Sequence, residues 1–130
     1  MNITIDTSAI LSVCTNEPSK EDLIDLTAGC DLIAPASIHW EVGNALSAMI
    51  KRNRITTDQA KSCVIIYKKI PIRFVDIKLL DAVEIAARFK IYAYDAYLLT
   101  CASQYRTSLL TLDRALQTHA NQIGIPVLGK

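Results

Sequence analysis

Four acidic residues carry the chemical interest of this chain. Asp6 closes an apolar N-terminal run, Glu41 lies near the start of a long amphipathic segment, Asp95 heads an apolar stripe, and Asp113 follows a second apolar run. Carboxylate oxygens are hard ligands, so an acidic, histidine-poor set suits Mg²⁺ or Mn²⁺ far better than zinc. The only histidines are His39 and His119. Each acid also has a purely structural explanation. Asp6, Asp95 and Asp113 stand at helix starts, where aspartate caps exposed amides, and Glu41 is an ordinary first-turn acid. Their joint placement is harder to explain that way. Carboxylates gathered within about 5 Å repel by roughly 3 kcal/mol per pair at an effective dielectric near 20, a cost that a bound cation removes. Asp95 is the most unusual, because Leu98, Leu99 and Ala102 share its helical face and should be packed inside.

The elements that must position these acids follow from apolar periodicity. Asn2 to Asp6 alternates as a strand and feeds a short helix reaching Val13. A turn at Glu17-Pro18-Ser19 opens a helix to Gly29, and Asp31 to Ala34 reads as a second strand. After Pro35 a long helix runs to about Asn53, with Val42, Ala45, Leu46, Met49 and Ile50 as its buried stripe. Asn44, Ala45 and Ala48, one and two turns beyond Glu41, are small enough to leave that carboxylate in a groove. Thr56 opens a helix to Ile70, Pro71 ends it, and Ile72 to Val75 is a third strand. Helices are predicted over Leu79–Lys90, Tyr94–Tyr105 and Arg114–Asn121, with strands over Ser108–Leu112 and Ile125–Leu128. Strands alternating with helices imply the α/β class: a three-layer sandwich with a parallel central sheet of about five short strands and helices on both faces. Asp6 and Asp113 then fall at strand carboxyl ends, the edge where such sheets bind ligands.

Bulk properties narrow the partners. A chain of 130 residues is the usual size of one domain, so a single domain over 1–130 is expected. With 51% hydrophobic and 21% charged residues it can bury a core. A net charge of +1 argues against a protein that holds nucleic acid mainly through a broad basic surface, so any such contact is expected to be local or metal-mediated. No run approaches membrane-spanning length. Cys14, Cys30, Cys63 and Cys101 are widely spaced and read as free thiols, which with no export signal favours the cytoplasm. Two other strand-end aspartate chemistries do not fit. A haloacid-dehalogenase-like phosphatase needs a second aspartate where Ser8 stands, and a phosphorelay receiver needs paired acids at the first strand.

The segments Ile5-Asp6-Thr7-Ser8, Pro35 to Leu46 around Glu41, Tyr94 to Ala102 around Asp95, and Leu109 to Asp113 together resemble a PIN domain, and more narrowly the VapC-type toxins of toxin-antitoxin pairs. The resemblance runs from Ile3 to about Val127. It implies a metal-dependent ribonuclease in which Asp6, Glu41, Asp95 and Asp113 fill the four acidic positions around one or two Mg²⁺ or Mn²⁺ ions, with Thr7, Ser8 and Thr111 as supporting hydroxyls. It also implies a homodimer and a small cognate antitoxin. Two alternatives stay open: a catalytically silent PIN-like scaffold for RNA or protein, and a PIN nuclease of RNA maturation or decay outside any toxin pair. Of the four acids, Asp6 and Asp95 are the firmest ligands, and Glu41 and Asp113 can act through a bound water.

Substrate contacts are less sharply marked. Lys51, Arg52 and Arg54, and Arg114 beside Asp113, are candidate grips on an RNA backbone, against an ordinary solvated helix end. Tyr92, Tyr94 and Tyr97 crowd the approach to Asp95, either to stack on unpaired bases or as core or interface residues. His39 reads as a core-edge or surface residue before it reads as a substrate contact, and His119 more so.

Overall fold

The computed structural model describes residues 1–129 and contains one five-stranded, wholly parallel sheet. The strands are β1 (Asn2–Ile5), β2 (Asp31–Pro35), β3 (Ile72–Val75), β4 (Ser108–Leu110) and β5 (Val127–Leu128). The helices are α1 (Thr7–Cys14), α2 (Lys20–Thr27), α3 (Ile38–Lys51), α4 (Thr57–Lys69), α5 (Leu79–Phe89), α6 (Ala93–Tyr105) and α7 (Arg114–Gln122). Strand order is β3-β2-β1-β4-β5. Parallel neighbours need a crossover, and right-handed crossovers place α1 to α4 on one face and α5 to α7 on the other. The packing agrees: α1 meets α2, α3 and α4, whereas α6 lies on β1, β2 and β4 beside α5. Phe89 of α5 and His119 of α7 stack at 4.5 Å between ring centroids.

The central strand β1 is covered on both sides, so Ile3 and Thr4 are fully buried and Ile5 nearly so. Ile33, Leu99, Leu109 and Leu110 complete a core without solvent contact. A threonine inside such a strand requires a partner, and Thr4 has one: its Oγ1 lies 2.6 Å from Thr107 Oγ1. Thr56 caps α4 by accepting from Gln59 N at 3.1 Å, while Gln59 Oε1 accepts from Thr56 N at 2.8 Å.

Two strands are shorter than their apolar runs. The fourth strand stops short of its predicted end at Leu112: Thr111 N still reaches Leu128 O at 3.4 Å, but Leu112 N donates to Ser8 Oγ at 2.9 Å instead of to a neighbouring strand. Pro126 has no N–H, and Ile125 N closes α7 on Ala120 O at 2.9 Å, so β5 begins only at Val127. The buried stripe of α3 is held by Ile38, Val42 and Leu46, with Ala45, Met49 and Ile50 half-buried. Cys14, Cys63 and Cys101 are buried free thiols and Cys30 is half-buried and free. No helix among the described residues is long and apolar enough to cross a membrane.

Candidate active site

The strand order creates a switch point. From β1 the chain turns toward β2, and from its neighbour β4 it turns toward β5, so a crevice opens beyond the carboxyl ends of β1 and β4. Asp6 follows β1 directly, and Thr111 to Asp113 follow β4.

Asp6 is the floor of this crevice, with only 3% of its surface exposed. It caps α1: Oδ1 accepts from Ala9 N at 3.0 Å. Ser8 Oγ lies 2.7 Å from Oδ1 and 2.9 Å from Oδ2, and the fully buried Thr111 donates from Oγ1 to Oδ2. Burial still dominates these donors and pushes the Asp6 carboxyl up to about 6, with the charge of Asp113 adding to the rise. Ser8 also holds the far strand, accepting from Leu112 N, and Thr111 Oγ1 accepts from Asp113 N at 3.0 Å. The two hydroxyls therefore lock the loops after β1 and β4 together around one carboxylate.

Glu41, in the first turn of α3, is pushed up to about 7 by burial first and then by the charges of Asp95 and Asp6. The hydroxyls of Ser37 and Thr7 beside it pull the other way. No hydrogen bond with good geometry forms among them: Glu41 Oε2, Thr7 Oγ1 and Ser37 Oγ are all buried atoms without a partner. Orphaned buried polar atoms are rare and costly. Two such hydroxyls stand beside a carboxylate oxygen that itself lacks a partner, which leaves that oxygen free for an outside ligand.

Asp95 does not cap its helix. Tyr92 is the residue before α6, so Asp95 sits inside the first turn, half-buried above Leu98, Leu99 and Ala102. Its carboxyl is raised by burial first and by the charge of Asp113 next, with His119 opposing. Asp113 is exposed and caps α7, accepting from Leu116 N at 3.1 Å through Oδ1. The capping explanation thus holds for Asp6 and Asp113 and fails for Asp95.

The charge of Asp113 acts on Asp6 and Asp95, and the charges of Asp95 and Asp6 act on Glu41, so the four carboxylates stand within electrostatic range of one another. Among the described residues no three acidic, imidazole or thiol side chains stand close enough together to hold a metal ion by themselves. The donors of the crevice fit a hard divalent cation, since they are oxygens, carry surplus negative charge and leave Glu41 Oε2 and Thr7 Oγ1 without partners.

A PIN domain model matches residues 3–121. The chain belongs to the PIN domain family. PAE2754 from Pyrobaculum aerophilum is similar in structure to this PIN domain at a TM-score of 0.73 and 18% identity, covering 98% of this chain and 83% of that one. A chain of VapBC2 from Rickettsia felis, solved bound to a DNA fragment from their promoter, is similar at a TM-score of 0.70 and 14% identity, covering 98% of both chains. No curated protein matches significantly. PIN domains are in general nucleases.

The remaining predicted residues are scattered. Lys51, Arg52 and Arg54 are exposed at the far end of α3, about 15 Å along the helix from Glu41 at 1.5 Å per residue. Arg114 is exposed beside Asp113. Tyr92 and Tyr94 are solvent-exposed, which overturns a core role for both, while Tyr97 is half-buried with its ring 6.0 Å from that of Tyr94. His39 is exposed and pairs through Nδ1 with Tyr67 OH at 2.8 Å. Ser37 was not legible as a site residue. The one signal for it is its spacing of a single helical turn before Glu41.

Proposed function

We propose that this PIN domain is a Mg²⁺- or Mn²⁺-dependent ribonuclease and the toxin of a toxin-antitoxin pair. The partnerless Glu41 Oε2, buried and facing the charges of Asp95 and Asp6, is the observation that carries the catalytic part. A protein that never filled this crevice with a cation would hold charge repulsion and unmet hydrogen bonds for no return, which disfavours a silent scaffold. Asp6, Glu41, Asp95 and Asp113 would hold the ions. Such ions, when bound, supply a nucleophilic water at neutral pH and offset charge developing on the phosphate.

The chain's own residues do the rest. Ser8, Thr111 and Ala9 N fix both oxygens of Asp6, so that carboxylate is a rigid reference point. Glu41 Oε2, which no group of the chain engages, is free to take up an ion. The exposed Arg114 beside Asp113 offers a cation to the incoming phosphodiester, and Lys51, Arg52 and Arg54 offer a more distant grip. The likeness in fold to a chain of VapBC2 supports the toxin role and, with it, a small antitoxin partner, while a homodimer is what the resemblance to VapC-type toxins implies. Purified protein incubated with total RNA and Mn²⁺ tests the activity, and a short companion reading frame beside the gene tests the toxin role. Loss of cleavage in Asp95→Asn is expected. Cleavage by that variant at the wild-type rate overturns the assignment.

A further inference from the structure

A cavity of about 230 Å³ opens beyond the carboxyl ends of β2 and β3, next to the acidic crevice. That is far more than the space of one water, and its walls are mainly apolar: Pro35, Val75, Ile77, Leu79 and the ring of Tyr97. Ser37 also lines it, and the Ser37 hydroxyl lies beside Glu41. Ser37 is therefore shared between the wall of the cavity and the surroundings of Glu41. Nothing in the catalytic reading above uses it.

Its polar element is Asp76. The Asp76 backbone carbonyl accepts from Tyr105 OH at 2.7 Å and from Gln104 Nε2 at 3.3 Å, while Lys78 N donates to Gln104 Oε1 at 2.9 Å. The wall is thus clamped to α6 before any ligand arrives, which limits the ordering cost of binding. The Asp76 side chain itself is exposed and makes no hydrogen bond among the described residues, so both carboxylate oxygens are free to accept. Tyr97 is braced edge-to-face by Tyr94, with an interplanar angle of 81°. A carboxylate at the mouth repels a phosphate but accepts from N–H groups, and an aromatic wall stacks on a planar ring.

Resting on the ribonuclease reading, the geometry points to this cavity as the pocket for one unpaired RNA base next to the cleaved bond, with guanine preferred. Guanine presents its N1–H and exocyclic amine side by side, matching the two oxygens of Asp76. Adenine and cytosine offer one amine, and uracil one ring N–H. Tyr97 supplies the stacking face, and Ser37 is the residue the base pocket shares with the surroundings of Glu41.

The test uses full-length Asp95→Asn protein and fluorescently labelled single-stranded pentamers, UUGUU against UUUUU, in EDTA. Anisotropy should show UUGUU binding about tenfold more tightly, the scale of one good bidentate base contact. Asp76→Asn added to that protein should erase the difference, because the amide presents one acceptor and one donor. Tyr97→Leu, which keeps the wall apolar, should weaken both pentamers while keeping their order. Equal binding of the two pentamers, or a preference that survives Asp76→Asn, overturns the pocket. Cleavage is scored separately: if wild type cuts no RNA with Mn²⁺ the ribonuclease reading falls, whereas the pentamer result still decides the pocket.

Discussion

Replacing Asp6 with asparagine should make the metal-free protein more stable at neutral pH, although Asp6 anchors the crevice. Burial lifts this carboxyl from 3.8 to about 6 in the fold. Because the folded value lies above the unfolded one, the native state binds more protons between those limits. The stability Asp6 contributes is complete below pH 3.8 and is lost as pH rises through 6. A rise of about two units corresponds to roughly 3 kcal/mol at pH 7.5, where the buried group is ionised. Asparagine caps α1 through Oδ1 as aspartate does and carries no charge; its Nδ2, in the place of Oδ2, donates to Thr111 Oγ1, whose own hydrogen can turn to Ser8 Oγ 3.4 Å away. In EDTA, Asp6→Asn should therefore unfold about 2–3 kcal/mol harder than wild type at pH 7.5, on the order of 10 °C in Tm for a chain this size. The gap should close near pH 4. Thermal melts followed by circular dichroism across that range measure it directly. If Asp6→Asn is less stable than wild type at pH 7.5, or if the gap does not depend on pH, burial is not what raises Asp6 and the reasoning fails.

Three further outcomes are expected. Thr7→Val removes a hydroxyl that has no partner, so chemical denaturation should find a cost under about 0.5 kcal/mol, while the rise in Tm on adding Mn²⁺ should shrink. Thr111→Val, by contrast, removes a donor from a buried carboxylate and should cost about 1–3 kcal/mol in the same experiment at pH 7.5. Charge removal at Lys51, Arg52 and Arg54 should leave the Mn²⁺ response intact but flatten the salt dependence of RNA binding, measured as the slope of log affinity against log salt.

The layered α/β architecture and all twelve elements were legible from apolar periodicity and from Pro71, Thr56 and Ser108 as boundaries. The strand ends were not, because Leu112 and Ile125 are apolar enough to extend a strand but their amides are taken by Ser8 and Ala120. Sequence patterns also do not report strand order, and it is the placing of β1 beside β4 that brings Asp6 and Asp113 to one crevice. Asp95 could be singled out beforehand because a charge above Leu98, Leu99 and Ala102 breaks the stripe. Ser37 could not, since a serine before a helix looks like any other cap until its hydroxyl proves to have no partner. The tyrosines divided in a way spacing does not forecast: Tyr92 stands in solvent and Tyr97 lines a cavity.

The most direct test of the acidic crevice as a metal-dependent ribonuclease site is single-turnover cleavage of a labelled RNA mixture by wild type and Asp95→Asn, each with Mn²⁺ and with EDTA. Cutting should occur with wild type and Mn²⁺ and fall at least a hundredfold, in the range expected when a group supplying several kcal/mol to the transition state is lost, in the other three arms. Equal cutting in EDTA, or by Asp95→Asn, would contradict the account.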